Sequence, residues 1–185
     1  SIRLLGQVPC LVAACHRLLA GGQPVTRDHS GGFAEHLLRL IVGQMRGETG
    51  TAMTDALNAS LILYAEHEFN ASTFSARVTA STLTDLHGAL TAAVATLKGP
   101  LHGGANEAVA SMLLEIATPT RAESWVRKAL AQKHRVMGFG HRVLKQGDAR
   151  STIIQRHAER LSELCHDRRW YEIAAIIDHI MLEEK

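Results

Sequence analysis

Apolar residues recur every three or four positions along most of the chain, and this spacing constrains the fold more than any other feature. Between Thr82 and Leu97 the recurring positions are Leu83, Leu86, Leu90, Val94 and Leu97. Comparable stripes run through residues 153–164 and 173–181. A period near 3.6 places such side chains on one face of an α-helix. Only Arg135–Met137 could form a strand, and a very short one, so the sequence predicts an all-α fold.

The amino-acid composition argues against several classes of protein. The 185 residues are 46% hydrophobic, which is enough for one sizeable core. A net charge of +2 and an aromatic content of 4% predict no nucleic-acid partner. Three cysteines without a C-x-x-C pair predict no disulfide framework and no metal site, and indicate reduced, mostly buried thiols in a cytoplasmic protein. Without an apolar run near 20 residues, we expect no membrane span.

Two lobes are expected to meet at Gly99-Pro100. Long apolar helices precede this pair, and shorter amphipathic helices alternate with glycine-bearing loops after it. We therefore predict one domain over residues 1–98 and a second over residues 99–185, with a ligand cleft between them. Both ends of the sequence fall inside helical patterns, so we expect a piece of a longer protein.

Eleven histidines are present, and a structural role is favoured for the five that lie in helical stretches with no glycine or polar cluster beside them, which are His16, His36, His87, His157 and His179. His67 follows an apolar helix, in a polar segment, 66–73, that lacks the second histidine of a zinc-protease H-E-x-x-H helix, because that position is Ala71. Asn70, Ser72 or Thr73 could cap the next helix. From this segment alone, capping and ligand binding remain equally open.

His102 lies in a glycine-rich turn, 99–104, that enters a helix. The glycines have no evident packing reason, which favours a functional histidine over a structural one. Free N–H groups at the helix start, with an imidazole beside them, would suit a carboxylate or a developing oxyanion.

A cationic loop follows Gly138-Phe139-Gly140. It carries His141, Arg142, Lys145 and Arg150 within ten residues, a set suited to several carboxylates or phosphates. The glycines do not form a dinucleotide fingerprint, because the third glycine is absent. A solvated basic turn is the alternative interpretation.

Together, three motifs resemble those of the citrate synthase family, including its 2-methylcitrate synthase branch, to which the run 67–83 is most similar. They are H-E-x-N-x-S/T at 67–73, G-P-L-H-G-G-A-N at 99–106 and G-F-G-H-R-V at 138–143. The resemblance implies a helical homodimer that condenses acetyl-CoA or propionyl-CoA with oxaloacetate and has no permanently bound cofactor. In this family pattern the chain comprises part of the large domain and most of the small domain.

The resemblance also implies residue roles. His102 would stabilise the enol of the acyl-CoA, and His141 would polarise the oxaloacetate carbonyl. His67, Asn70 and Arg150 would bind oxaloacetate. The residues expected beside CoA are Lys145, Arg135, Met137, Gly138 and Gly140.

Two departures from the family pattern bear on the chemistry. Ala149 replaces the proline of the family's Asp-Pro-Arg, while the arginine is kept. The family's catalytic aspartate is expected beyond Lys185, and without such a base a site typically loses about 10²–10⁴-fold in rate. The isolated chain is therefore expected to be inactive. A non-catalytic helical module that binds CoA or a partner is the alternative.

Overall fold

In the computed structural model, the described residues are 2–25, 31–65, 69–140 and 148–184. Over these ranges the secondary structure consists of α-helices, with no strand. The helices are α1 (Ile2–Leu19), α2 (Phe33–Val42), α3 (Gly47–Ala65), α4 (Ala71–Ser81), α5 (Leu86–Leu97), α6 (Gly104–Ile116), α7 (Pro119–Ala131), α8 (Ala149–Leu164) and α9 (Arg169–Glu183).

The all-α prediction is confirmed, with corrections at particular positions. The strand suggested at Arg135–Met137 is wrong, because those residues form a loop. Leu83 lies before α5, in a turn where its φ is 64°, so the predicted stripe enters its helix only at Leu86. Asp85 sets that start, because its side chain accepts a hydrogen bond from the N–H of Gly88 at 2.8 Å.

The chain divides into two compact units, and the first combines residues 1–66 with 149–165. Arg17 of α1 donates from Nε to the carbonyl of Leu40, 2.5 Å away, and so caps the end of α2. Arg160 of α8 lies 3.5 Å from Glu48 at the start of α3. Arg150 at the start of α8 lies over Tyr64 at the end of α3. These two contacts show that α3 and α8 are antiparallel.

The second unit combines residues 67–148 with 166–185. Its core is formed by α6, α7, α9 and the loop after α7, and its largest fully buried side chains are Ile116, Val126 and Ile173. α4 and α5 pair separately: Ser75 donates to the carbonyl of Ala92 at 3.4 Å, and Ala89 is buried. Small residues at this contact allow the two backbones to approach closely. The predicted domain boundary between residues 98 and 99 stays a prediction.

Several apolar and thiol side chains are more exposed than their type suggests. The large members of the α5 stripe remain exposed: Leu86 at 45%, Leu90 at 38%, Val94 at 64% and Leu97 at 44%. The expectation of mostly buried thiols is wrong, because Cys15 and Cys165 are exposed. α1 is long and apolar enough to cross a membrane by length and composition alone, a test that core helices also pass.

Candidate active site

The segment before α4 begins with a helix cap. The side-chain oxygen of Asn70 accepts a hydrogen bond from the N–H of Thr73 at 2.9 Å, as an N-cap residue does. Of the three candidate caps, Asn70 is therefore the one used. The same oxygen also accepts from the hydroxyl of Ser72 at 2.8 Å, so the cap fixes the Ser72 side chain as well.

Ser72 connects this cap to His102. The Nε2 atom of His102 lies 2.8 Å from Oγ of Ser72, although the two residues belong to different segments of the chain. Ser72 and His102 are both half-buried. The result is a chain of side-chain hydrogen bonds from Asn70 through Ser72 to the imidazole.

The Ser72 hydroxyl has one proton, so the group that accepts this proton determines which ring nitrogen of His102 carries the N–H. While Ser72 donates to Asn70, the N–H must lie on Nε2 of His102, and Nδ1 of the neutral ring is an acceptor. Should the hydroxyl turn its proton to Nε2, Nδ1 carries the N–H and becomes a donor. None of the hydrogen bonds among the described residues involves Nδ1 of His102, so none of these residues occupies this atom.

The glycines around His102 have a packing role, which corrects the sequence interpretation. A Cβ on Gly103 would lie 2.7 Å from the carbonyl oxygen of Leu97, and one on Gly104 would lie 2.8 Å from that of Lys98. The turn therefore fits tightly against the end of α5. The presence of these glycines is therefore not evidence that His102 is functional. The contact of His102 with Ser72 supports a functional role instead.

The expectation of free N–H groups at this helix start is also corrected. The N–H of Gly104 donates to Gly99 at 3.2 Å, that of Ala105 to His102 at 3.0 Å and that of Asn106 to Gly103 at 3.2 Å. Those three donors are used within the turn. An oxyanion here would be stabilised by the imidazole rather than by this set of backbone amides.

Arg150 is placed by the antiparallel pair α3 and α8. Its guanidinium carbon lies 5.7 Å from the centre of the Tyr64 ring, within the range of a cation–π contact. Arg150 is half-buried, whereas Tyr64 is 65% exposed. The antiparallel arrangement also means that the chain leaves α3 towards residue 66 and enters α8 from residue 148 at the same end of the pair.

The loop at 135–140 is anchored by its apolar residues. Val136 is 5% exposed and Phe139 packs against the core of the second unit. Gly138 and Gly140 have φ of 94° and 81°, values that side chains with a Cβ rarely adopt. Arg135 is exposed and Met137 is half-buried. Anchoring this loop leaves Arg135 at the surface.

Three predicted site residues, His67, His141 and Lys145, lie outside the described residues. Their convergence with His102 stays a prediction, as do the roles assigned to Asn70, Arg150 and the 135–140 loop. Within the described ranges, no group of three His, Cys, Asp or Glu side chains could hold a metal ion.

Comparison with known proteins identifies the family. Residues 1–185 match the citrate synthase C-terminal domain family. The chain belongs to the citrate synthase family. Citrate synthase 2 of Bacillus subtilis is 45% identical over 100% of this chain and 49% of its own length. A 2-methylcitrate synthase of Mycobacterium tuberculosis is 43% identical over 96% of this chain and 44% of its own length.

Solved structures agree with this assignment. Citrate synthase of Thermoplasma acidophilum, in ternary complex with carboxymethyl coenzyme A and oxaloacetate, has a TM-score of 0.87 at 34% identity. The match covers 98% of this chain and 47% of that one. Citrate synthase of Thermotoga maritima has a TM-score of 0.79 at 36% identity, covering 96% and 47% of the two chains. The chain thus spans about half the length of its relatives, and α1 lies within the family match.

Two side chains near the candidate residues were missed by sequence reasoning. Ser72 was considered only as a cap, although the motif at 67–73 contains it. Tyr64 is not singled out by any sequence pattern, and no sequence signal links it to Arg150. The Ser72–His102 and Tyr64–Arg150 contacts each join positions far apart in sequence, so neither periodicity nor a local motif predicts them.

Proposed function

We propose that the protein containing this chain condenses an acyl-CoA with oxaloacetate and releases CoA. Membership of the citrate synthase family supports this proposal, as do relatives named for citrate and for 2-methylcitrate synthesis. The observation that carries it is the hydrogen-bonded chain from Asn70 through Ser72 to His102, which engages Nε2 and, among the described residues, leaves Nδ1 of the imidazole for a ligand.

His102 acts on the thioester oxygen of the acyl-CoA. When the α-carbon loses a proton, negative charge develops on that oxygen, and a hydrogen bond from Nδ1–H of His102 stabilises it. For Nδ1 to donate from a neutral ring, Ser72 must turn its proton from Asn70 to Nε2. Asn70 keeps its bond from the N–H of Thr73. The helix cap therefore survives this change of hydroxyl orientation.

The resulting enol carbon attacks the carbonyl of oxaloacetate, which His141 polarises. His67 and Arg150 bind the carboxylate and carbonyl oxygens, where a guanidinium can donate two parallel hydrogen bonds. The side-chain oxygen of Asn70 already accepts two bonds, so its contact with oxaloacetate comes from the amide nitrogen. Water then hydrolyses the thioester of the product.

The other parts of the mechanism follow the family pattern. Lys145, Arg135, Met137, Gly138 and Gly140 would lie beside CoA. The aspartate that removes the proton from the acyl-CoA is expected beyond Lys185, so a complete site requires the longer protein.

Acetyl-CoA and propionyl-CoA differ by one methylene group. A pocket typically discriminates such a difference by about 1–3 kcal/mol of transition-state binding free energy. The run 67–83 is most similar to that of 2-methylcitrate synthases, and acetyl-CoA and propionyl-CoA are both proposed as substrates. The test is a steady-state assay of the full-length protein with oxaloacetate and each acyl-CoA, following release of the CoA thiol. The acyl-CoA with the higher kcat/KM is the preferred substrate. Binding of CoA without thiol release from either substrate would instead support the non-catalytic module.

We also propose that the full-length protein is a homodimer in the cytoplasm, with no membrane or nucleic-acid partner. Contiguous exposed apolar side chains mark interaction surfaces, and Leu86, Leu90, Val94 and Leu97 follow one stripe of α5. A second copy is the occupant that the family pattern implies. Light scattering of the full-length protein should give twice the monomer mass, and Val94→Glu should shift it towards the monomer. A monomeric wild type would exclude this assembly.

A further inference from the structure

We propose that Tyr64 is a positioning residue for Arg150, and that its ring sets the affinity of the site for oxaloacetate. This inference rests on the proposed function, because it requires Arg150 to bind the substrate. The observation behind it is the cation–π contact, in which the guanidinium carbon lies 5.7 Å from the ring centre.

The helix pair determines where this contact lies. α3 and α8 are antiparallel, and Arg160 pairs with Glu48 at 3.5 Å and with Asp55 at 4.0 Å. Tyr64 lies near the end of α3 and Arg150 near the start of α8. Both salt bridges of Arg160 lie away from that end of the helix pair. The cation–π contact therefore lies at the end of the α3–α8 pair that the two salt bridges do not reach.

The geometry of a guanidinium explains why a ring suits this role. All N–H donors of arginine lie in the plane of the group, so an aromatic ring on its face leaves their directions unchanged. The ring restricts rotation of a long side chain, and less conformational entropy is lost when a carboxylate binds. A purely structural tyrosine would have no reason to affect one substrate more than the other.

Tyr64 is also suited to a test by mutation. It is 65% exposed, so replacing it removes little buried surface. Tyr64→Phe keeps the ring and Tyr64→Leu removes it. A cation–π contact at an exposed site contributes about 0.5–1 kcal/mol, which corresponds to a change of about two- to fivefold in KM.

A second tyrosine offers a matched control. Tyr171 of α9 lies under Arg168, with 5.3 Å between the guanidinium carbon and the ring centre. Tyr171→Leu therefore removes the same kind of contact at a place with no proposed role in the site. It should leave both KM values unchanged.

The experiment measures kcat and both KM values of the full-length protein carrying Tyr64→Phe, Tyr64→Leu, Arg150→Ala or the Tyr64→Leu/Arg150→Ala pair. We expect Tyr64→Leu to raise the KM for oxaloacetate about two- to fivefold, with the KM for acyl-CoA unchanged and Tyr64→Phe close to wild type. In the Arg150→Ala background, Tyr64→Leu should have no further effect.

Two results would overturn the proposal. One is an unchanged KM for oxaloacetate in Tyr64→Leu, and the other is an equal increase in KM with and without Arg150. If the wild-type protein released no CoA thiol, the proposed function itself would fail, and the two failures are therefore distinguishable. Thermal unfolding of each variant shows whether a changed KM reflects the site or a loss of folded protein.

Discussion

The Nε2 atom of His102 lies 2.8 Å from Oγ of Ser72, which makes the state of the imidazole depend on a neighbouring hydroxyl. Ser72 in turn donates to the cap residue Asn70 at 2.8 Å. A helix cap and a candidate catalytic group thus share one network. Substitutions in this network should have distinguishable effects, because the cap contributes to the stability of α4 and the imidazole contributes to turnover.

Replacing Ser72 should lower turnover more than substrate binding. In Ser72→Ala the imidazole loses the partner that fixes its orientation and tautomer, and a hydrogen bond of this kind contributes about 0.5–1.5 kcal/mol, so kcat should fall by up to about tenfold. The KM for oxaloacetate should change little. Ser75→Ala is the control, because Ser75 lies on the same helix and donates to Ala92 instead. Equal kcat values for the two variants would count against the role of Ser72.

His102→Ala should have a larger effect on kcat in the full-length protein. Removing one donor to a developing oxyanion typically lowers kcat about 10²–10³-fold. His87, an exposed histidine of α5, provides the control, and His87→Ala should retain wild-type kcat. Thiol release at saturating substrates measures both. An unchanged kcat in His102→Ala would end its assignment as the group that stabilises the enol.

Arg150→Ala should act mainly on the KM for oxaloacetate, because the charges of that substrate are present before and during reaction. A hydrogen bond to a charged group contributes about 1.5–3 kcal/mol, so an increase of tenfold or more is expected. The KM for acyl-CoA should change less. Arg156→Ala, an exposed arginine of the same helix, should leave both constants unchanged. A selective rise in the KM for acyl-CoA would place Arg150 beside the other substrate.

Asn70→Ala should lower both stability and turnover. Loss of an N-cap typically destabilises a protein by about 0.5–2 kcal/mol, which a decrease in Tm would report. Turnover should fall as well, because the cap no longer fixes the Ser72 side chain that contacts His102. Asp85→Ala removes the cap of α5 and should decrease Tm without changing kcat. If the two variants had the same kcat, the link from the cap to His102 would be disproved.

Gly103→Ala should destabilise the turn that carries His102. The new methyl group would lie 2.7 Å from the carbonyl oxygen of Leu97, so α5 or α6 must shift. Such overpacking typically costs about 1–3 kcal/mol. Gly6→Ala is the contrasting variant, because nothing lies within 4 Å of its added Cβ. Chemical denaturation should show a loss of stability for Gly103→Ala alone, and comparable stability of the two variants would refute the close approach.

The helical fold could be predicted from the sequence because its causes are local. Apolar spacing near 3.6 residues and cap residues such as Asn70 and Asp85 act within a few positions of the chain. The motif around His102 was likewise visible, although the reason given for its glycines was wrong. Their role depends on Leu97 and Lys98 of the preceding helix end, and the packing of a turn against a helix is not a periodic signal.

The sequence by itself determined that the chain is helical, that it belongs to the citrate synthase family and that His102 lies in a turn just before a helix. Only the tertiary structure decided that Ser72 fixes the imidazole and that Tyr64 stacks on Arg150. The first contact depends on how α4 packs against the turn after α5, and the second on how α3 packs against α8. In both cases side-chain packing within the unit determines the relative placement of the two elements. Periodicity defines the face of a helix that packs, but the neighbour it meets is set by the shapes of both surfaces.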